Sequence, residues 1–341
     1  MPPTDSTLSI VDVGHGNCAV LVDTDGVVVI DAGAGTALLE FLEQEGIEKV
    51  DVVLISHADK DHIEGLVALI ASQKYEVGVI RINSDALKDS KLWDDLLFSL
   101  NKAFFAGAVQ FNVSLTVADS GSFDRGDVHL EILAPDPYIA GRGPGSTDRD
   151  GRRLTSNSIS AVIRLVKDQT PIALLTGDLD EVGLDNLLNN NLNCTAPLLV
   201  FPHHGGKPGS GDMATFTKKL VDLVRPETVI FSVRRGGQTN NPQPEIVRAV
   251  RENLRDVRIA CTQLSKRCAA TVPANQPTHL AAKYAQGRHG NGCCGGTFVI
   301  NLSEAGRPFL PVMQEHSDFI SANAETALCQ APLNGANLNG P

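Results

Sequence analysis

The chain has 341 residues, is 42% hydrophobic and 20% charged, and carries 29 Lys+Arg against 40 Asp+Glu, a formal net charge of −11. That apolar content excludes disorder over most of the length, and no apolar run reaches the roughly 20 residues of a membrane span. The acidic balance excludes a protein coated by nucleic acid through bulk charge, but leaves room for a local basic cleft or a metal site that handles phosphates.

The N-terminus, MPPTDSTLSIVDV, has neither a charged leader region nor an apolar stretch, so no secretory signal is expected. Seven cysteines, an odd number in such a chain, read as thiols or metal ligands in a reducing, cytoplasmic setting. Residues 9–13, 19–22 and 27–30 form an expected antiparallel meander, with Thr24-Asp25-Gly26 as a tight hairpin turn. A helix is expected at 37–44, a fully buried strand at 50–55, and a helix at 62–72 with Ile63, Leu66, Leu69 and Ile70 on one face. A strand at 77–82 and a helix at 92–105 follow, then strands at 114–118, 129–133, 160–165 and 172–175. The remaining pattern is helix 181–189, strand 197–200, strand 228–233, helix 244–254, strand 257–260 and strand 297–301. Strands interleaved with helices after a hairpin start predict α/β layers in one domain. The Gly- and Arg-rich stretch 140–158 reads as a long mobile loop, and the segment after Pro311 as a weakly ordered tail.

The sharpest chemical signal is Ser56-His57-Ala58-Asp59-Lys60-Asp61-His62. Four candidate metal ligands follow a buried strand and open a helix. Carboxylates this close repel one another unless a cation neutralises them. Histidine nitrogen mixed with carboxylate oxygen suits Zn, Mn or Fe. The alternative is a solvated loop of charges with a capping Asp. Against it, further ligand types recur at strand ends: Asp178 after IALLTG, and His203 and His204 after PLLVF. The C-terminal ends of strands are where α/β sheets collect their sites.

These segments resemble the metallo-β-lactamase superfamily, and within it the metallo-β-lactamase-like domain of the DNA-uptake competence protein ComEC. VDVGHGNCAVLVD resembles the opening D-V-G-Q-G-D-A strand of that group, and VVVIDAG carries the superfamily's buried Asp, here Asp31. ISHADKDHIEGL resembles S-H-x-D-x-D-H-x-G-G-L. SNSISAVIRL, IALLTGD, VFPHHGGKPGS and FSVRRGGQTNNPQPEIV match further segments in the same order. The resemblance implies a four-layer αββα sandwich and two divalent metal ions, Zn or Mn, with a single ion as the alternative. Carried over residue by residue, Asp61, His62 and His203 form one pocket, His57 and Asp59 the other, and Asp178 bridges them. Asp61 is the expected catalytic carboxylate, orienting a metal-bound hydroxide. His204 is expected either to support the ligands from behind or to protonate the leaving group. Three positions depart from the pattern: Asp59 stands where most of the superfamily has His, and Asn157 and Asn241 likewise replace His. A harder, oxygen-rich second pocket follows, suited to Mn²⁺ or Mg²⁺. His15, Lys207 and Arg234 are candidate near-metal or substrate contacts, and Arg142, Arg152, Arg153 and Arg235 extend a candidate basic rim.

About thirty residues separate Cys261 from Gly295, where a short turn would suffice. This Cys-rich insertion, at about 262–294, offers a candidate structural zinc site from Cys261, Cys268 and Cys293 or Cys294, with His289 nearby, or else ordinary buried or redox-sensitive thiols. The resulting expectation is a hydrolase domain over 1–310 and a tail over 311–341. Its function is read as metal-dependent phosphodiester hydrolysis by a soluble DNA nuclease of bacterial defence, with DNA as partner, a protein that activates or restrains it, and no membrane part. The alternatives are a hydrolase of small esters, lactones or cyclic nucleotides, and a catalytically weak, metal-stabilised binding protein.

Overall fold

The computed structural model describes residues 6–209, 211–236, 240–304, 306–324 and 326–330. The chain opens as an antiparallel meander. Strands β1 (Thr7–Ile10), β2 (Ala19–Asp23) and β3 (Gly26–Ile30) pair in order, and Asp23 faces Gly26 across the Thr24-Asp25 turn. Pairing then becomes parallel, with helices as crossovers: α1 (Ala37–Gln44), β4 (Lys49–Ile55), α2 (Lys60–Ser72), β5 (Glu76–Ile82), α3 (Lys91–Phe105) and β6 (Gln110–Asn112). The second half contains β7 (Val128–Ala134), the short α4 (Pro137–Arg142), β8 (Val162–Lys167), β9 (Thr170–Leu175), α5 (Glu181–Asn189) and β10 (Leu198–Val200). It continues through α6 (Met213–Val224), β11 (Thr228–Phe231), α7 (Pro244–Asn253), β12 (Arg258–Cys261), β13 (Phe298–Asn301), β14 (Phe309–Leu310) and α8 (Met313–Asn323).

One sheet runs β14-β13-β1-β2-β3-β4-β5-β6, the other β12-β11-β10-β9-β8-β7. They face each other across Leu21, Leu54, Ile163, Leu175, Ile230 and Phe298. Strand β3 shows why its sequence is apolar without alternation. Val28 and Ile30 enter the space between the sheets, while Val27 and Val29 meet the outer helices, so both faces are buried. Leu38, Phe41, Leu42, Leu66, Leu69, Leu96 and Leu100 bring α1, α2 and α3 onto the first sheet. Phe216, Leu220, Ile246 and Val250 bring α6 and α7 onto the second. The architecture is the four-layer αββα sandwich.

Four stretches differ from the sequence reading. No strand forms at 114–118. The Asn83 amide donates to Leu115 O and its carbonyl accepts from Leu115 N, both at 2.8 Å, so a side chain satisfies the backbone that a neighbouring strand would have paired. Residues 140–158 are tied down: Thr147 bridges Arg153, and Arg152 pairs with Asp148 at 2.8 Å and with Asp185 at 2.6 Å. Helix α6 had no counterpart, although Phe216, Leu220, Val221 and Val224 carry helical spacing. Residues 313–324 and 326–330 do not form a weakly ordered tail. Instead α8 and the turn after it place Phe319, Ile320, Ala327 and Leu328 in the core of the second sheet's outer layer. Residues 331–341 lie outside the described residues. Among the described residues no helix is long and apolar enough to cross a membrane.

Candidate metal centre

The parallel strands β4, β9 and β10 end at one edge of the sandwich, each followed at once by polar residues: His57 after β4, Asp178 after β9, and His203 and His204 after β10. The loop after β1 adds His15. These turns are narrow. Gly177, at φ +51°, would place a Cβ 2.3 Å from Ser160 Oγ and 2.7 Å from Ser56 Cβ, so only glycine passes there. Asp178 N then donates to Ser160 Oγ at 3.0 Å, which fixes the carboxylate's approach. His203 and His204 are both left-handed, at φ 54° and 56°. Two such residues in succession send their rings to different sides, with centroids 6.4 Å apart.

Asp178 sits between two sets of donors. On the Oδ1 side lie His62 Nε2 at 3.2 Å and His204 Nε2 at 3.6 Å, and His204 also reaches Asp61 Oδ2 at 3.0 Å. The ligand atoms of Asp61, His62, Asp178 and His204 all fall within 4.8 Å of one another. On the Oδ2 side are His203 Nδ1 at 3.1 Å and His57 Nε2 at 3.9 Å, with Asp59 Oδ2 3.7 Å from His57. Asp31 supports the first set from behind. It accepts from Ser56 N at 2.7 Å and Ser56 Oγ at 2.9 Å, and meets His62 Nδ1 at 2.8 Å. That contact occupies the inner nitrogen of His62 and leaves Nε2 facing the cluster, the usual way a ligating histidine is oriented.

The residues fit a divalent cation. His57 Nε2, His62 Nε2 and Asp178 Oδ1 are buried and make only ion-pair contacts, none with the geometry of a hydrogen bond, a costly arrangement unless something else satisfies them. The charges are poised in the same sense. Burial pushes the Asp178 and Asp61 carboxyls up, but the surrounding histidines outweigh it and hold both well below the usual carboxylate range. Burial likewise lowers His62, but Asp31 and Asp178 prevail and raise it well above an ordinary imidazole.

The pairing expected from the motif was His203 with Asp61 and His62. The structure places His204 there, and His203 beside Asn157 on the other side of Asp178, with Asn157 Nδ2 3.4 Å from His203 Nδ1. The reason is the left-handed turn, which buries the second ring and leaves the first half-exposed. His15 Nε2 lies 3.2 Å from Asp61 Oδ2, at the solvent side of the cluster. Asn241 Nδ2 donates to His203 O at 3.4 Å, so it holds the turn. Lys207 and Arg234 are exposed. Three arginines of the expected basic rim are committed elsewhere: Arg142 to Thr147 O at 3.0 Å, Arg152 to its aspartates, and Arg235 to the carbonyls of Leu264, Ala269 and Ala270 at 2.8–3.0 Å. Lys88 was not singled out from sequence. It follows β5 by six residues, and its ammonium rests on Asp59. No spacing rule links 88 to 59.

The cysteines of the insertion do not gather into a zinc site. Cys293 and Cys294 are adjacent, and their side chains diverge: Cys293 Sγ turns to Asp12 at 3.8 Å, Cys294 Sγ to His316 Nε2 at 3.3 Å. His289 is exposed, 3.8 Å from Glu40. Among the described residues, no three donors of this region lie within 4.8 Å of one another.

Two facing sheets with outer helices, and a His/Asp centre at the edge where their parallel strands end, define the class: a domain of metallo-β-lactamase fold with a candidate metal centre. Residues 11–154 match the family model of the metallo-beta-lactamase superfamily. The chain is 22% identical to ComE operon protein 3 of Bacillus subtilis, over 73% of this chain and 31% of that protein. It is 22% identical to competence protein ComA of Neisseria gonorrhoeae, over 78% of this chain and 32% of that one. It therefore spans about a third of the length of these curated relatives. Among solved structures it is similar to Tm1679, described as a metal-dependent hydrolase of the beta-lactamase superfamily, at 18% identity and a TM-score of 0.46, covering 74% of this chain and 95% of that one.

Proposed function

We propose that this domain hydrolyses phosphodiester bonds and that its substrate is DNA. The observation that carries the reading is the set of converging buried ligand atoms around Asp178, three of which make no well-formed hydrogen bond. Asp61, His62, Asp178 and His204 would hold a divalent ion. Such an ion lowers the pKa of water and neutralises charge developing on a phosphoryl oxygen. The chain's own groups do the rest. Asp61 accepts a hydrogen bond from the attacking water and orients it. His15, whose Nε2 meets Asp61 and whose ring is part-exposed, carries a proton between the site and the leaving oxygen. The likeness to the competence proteins supports DNA as substrate, as do the exposed Lys207, Arg153 and Arg234.

The internal engagement of Arg152 and Arg235 favours a second reading, a hydrolase of small phosphate or carboxylate esters, because it thins the basic rim. Cleavage of supercoiled plasmid and of single-stranded DNA with added Mn²⁺, beside Asp178→Ala, tests the first. Cutting that vanishes in the variant is expected. Turnover of small phosphodiesters with no DNA cleavage moves the assignment to the second reading. Equal cutting by both proteins removes Asp178 from the mechanism.

A further inference from the structure

This inference rests on the metal-centre reading and concerns how many ions the centre holds. The two oxygens of Asp178 face unequal surroundings. The Oδ1 side has four converging donors within 4.8 Å. On the Oδ2 side, His57, Asp59 and His203 are spread more widely, and among the described residues they form no such group. Two of the three residues that depart from the resembled pattern, Asp59 and Asn157, lie on that side.

The Oδ2 side already contains a cation. Lys88 lays its ammonium on Asp59 Oδ1, with its side chain 26% exposed. Its position is built. Lys88 N donates to Asp85 O at 3.1 Å, and Leu87 N donates to Asp85 Oδ1 at 3.2 Å. Asp85 is buried and accepts in turn from Ser156 Oγ, one residue before Asn157. The lysine and the asparagine side of the centre are thus held by one hydrogen-bonded network. A lone exposed lysine would sample many rotamers; this one leaves an anchored turn. A dication approaching Asp59 would meet the like charge of the ammonium at close range and would have to displace it.

We propose that Lys88 serves as the second positive charge of the centre, so that the chain binds one divalent ion tightly, on the Asp61–His62–Asp178–His204 side, and excludes a second from Asp59. Exchange of Asp59 for the usual histidine would leave Lys88 without its anion, so the two residues act as a pair.

The test is Mn²⁺ binding to the metal-free full chain, by calorimetry and by electron paramagnetic resonance, for the wild type, Lys88→Met and Lys88→Arg. One equivalent is expected for the wild type and for Lys88→Arg. Lys88→Met should bind a second equivalent, at least about tenfold more tightly than the wild type does, with the signal of a spin-coupled pair. Thermal melting checks that Lys88→Met is folded, and Lys88→Gln replaces it if it is not. Two tight equivalents in the wild type overturn the proposal, and so does a single equivalent in every variant. No binding by the wild type overturns the metal-centre reading itself, which keeps the two failures apart.

Discussion

The metal centre and the cysteine cluster are built from residue types that can ligate metals, yet one converges and the other packs. At the centre, three buried ligand atoms make no well-formed hydrogen bond, and every imidazole lies near a carboxylate. Around α8, Cys261, Cys268, Cys294 and Cys329 line a small apolar cavity with Leu264, Ile320 and Leu328. Burial pushes all four thiols up, Cys329 to about 12, so they stay protonated and serve as small hydrophobes. The local histidines are occupied: His279 Nε2 meets Cys294 O at 2.8 Å, and His316 lies between Arg258 and Cys294. What separates the two clusters is the presence of anions. Carboxylates gather imidazoles around a shared charge, whereas buried neutral thiols have no reason to converge.

The largest expected effect is at Asp178. Replacement by Ala should lower hydrolysis by at least about a thousandfold and abolish tight metal binding, because the one carboxylate shared by both sides of the centre is lost. Retained binding in a calorimetric titration would erase the distinction between the clusters. Next is Asp31→Ala. It removes the anchor of Ser56 and His62 and should weaken metal binding by about 10–100-fold. It should also lower stability by about 3 kcal/mol, since a buried partner loses its counter-charge. Denaturant melts with and without metal separate the two effects.

His316 tests the apolar character of the other cluster through pH. Burial, with Arg258 and His279 adding to it, lowers its pKa to about 3 from an ordinary 6.5. The unfolded chain therefore takes up a proton below about 6.5 that the folded chain refuses. Its contribution to stability is complete above that pH and falls by up to about 1.4 kcal/mol per unit down to about 3. His316→Gln should flatten this limb of a stability–pH curve, and an unchanged slope would mean the histidine is protonated in place. The smallest effect belongs to Cys268→Ala, which should cost about 1 kcal/mol and leave the metal content of the purified protein unchanged. Loss of an equivalent of zinc would make the cysteine cluster a metal site after all.

Much of this architecture is local and was readable as such. The run 50–55 ends in His57-Ala58-Asp59-Lys60-Asp61-His62, IALLTG ends in Asp178, and VFP ends in His203-His204; a strand end followed by ligand types is a pattern along one element. Short apolar runs, the Asp-Gly turn and helical spacing likewise placed β2, β3, α1 and α5 close to their observed bounds. The tertiary structure decided what depends on direction between elements. His204 rather than His203 joins the tight set because two left-handed residues turn their rings apart. Lys88 reaches Asp59 because β5 lies beside β4, twenty-nine residues away in the chain. Arg152 and Arg235 leave the rim because aspartates and open carbonyls lie nearer to them than solvent does. Phe319, Ile320, Ala327 and Leu328 pack because the second sheet's outer layer still presents an apolar surface beside α7. Spacing determines which residues share a face of one element; only the packed backbone determines which faces meet.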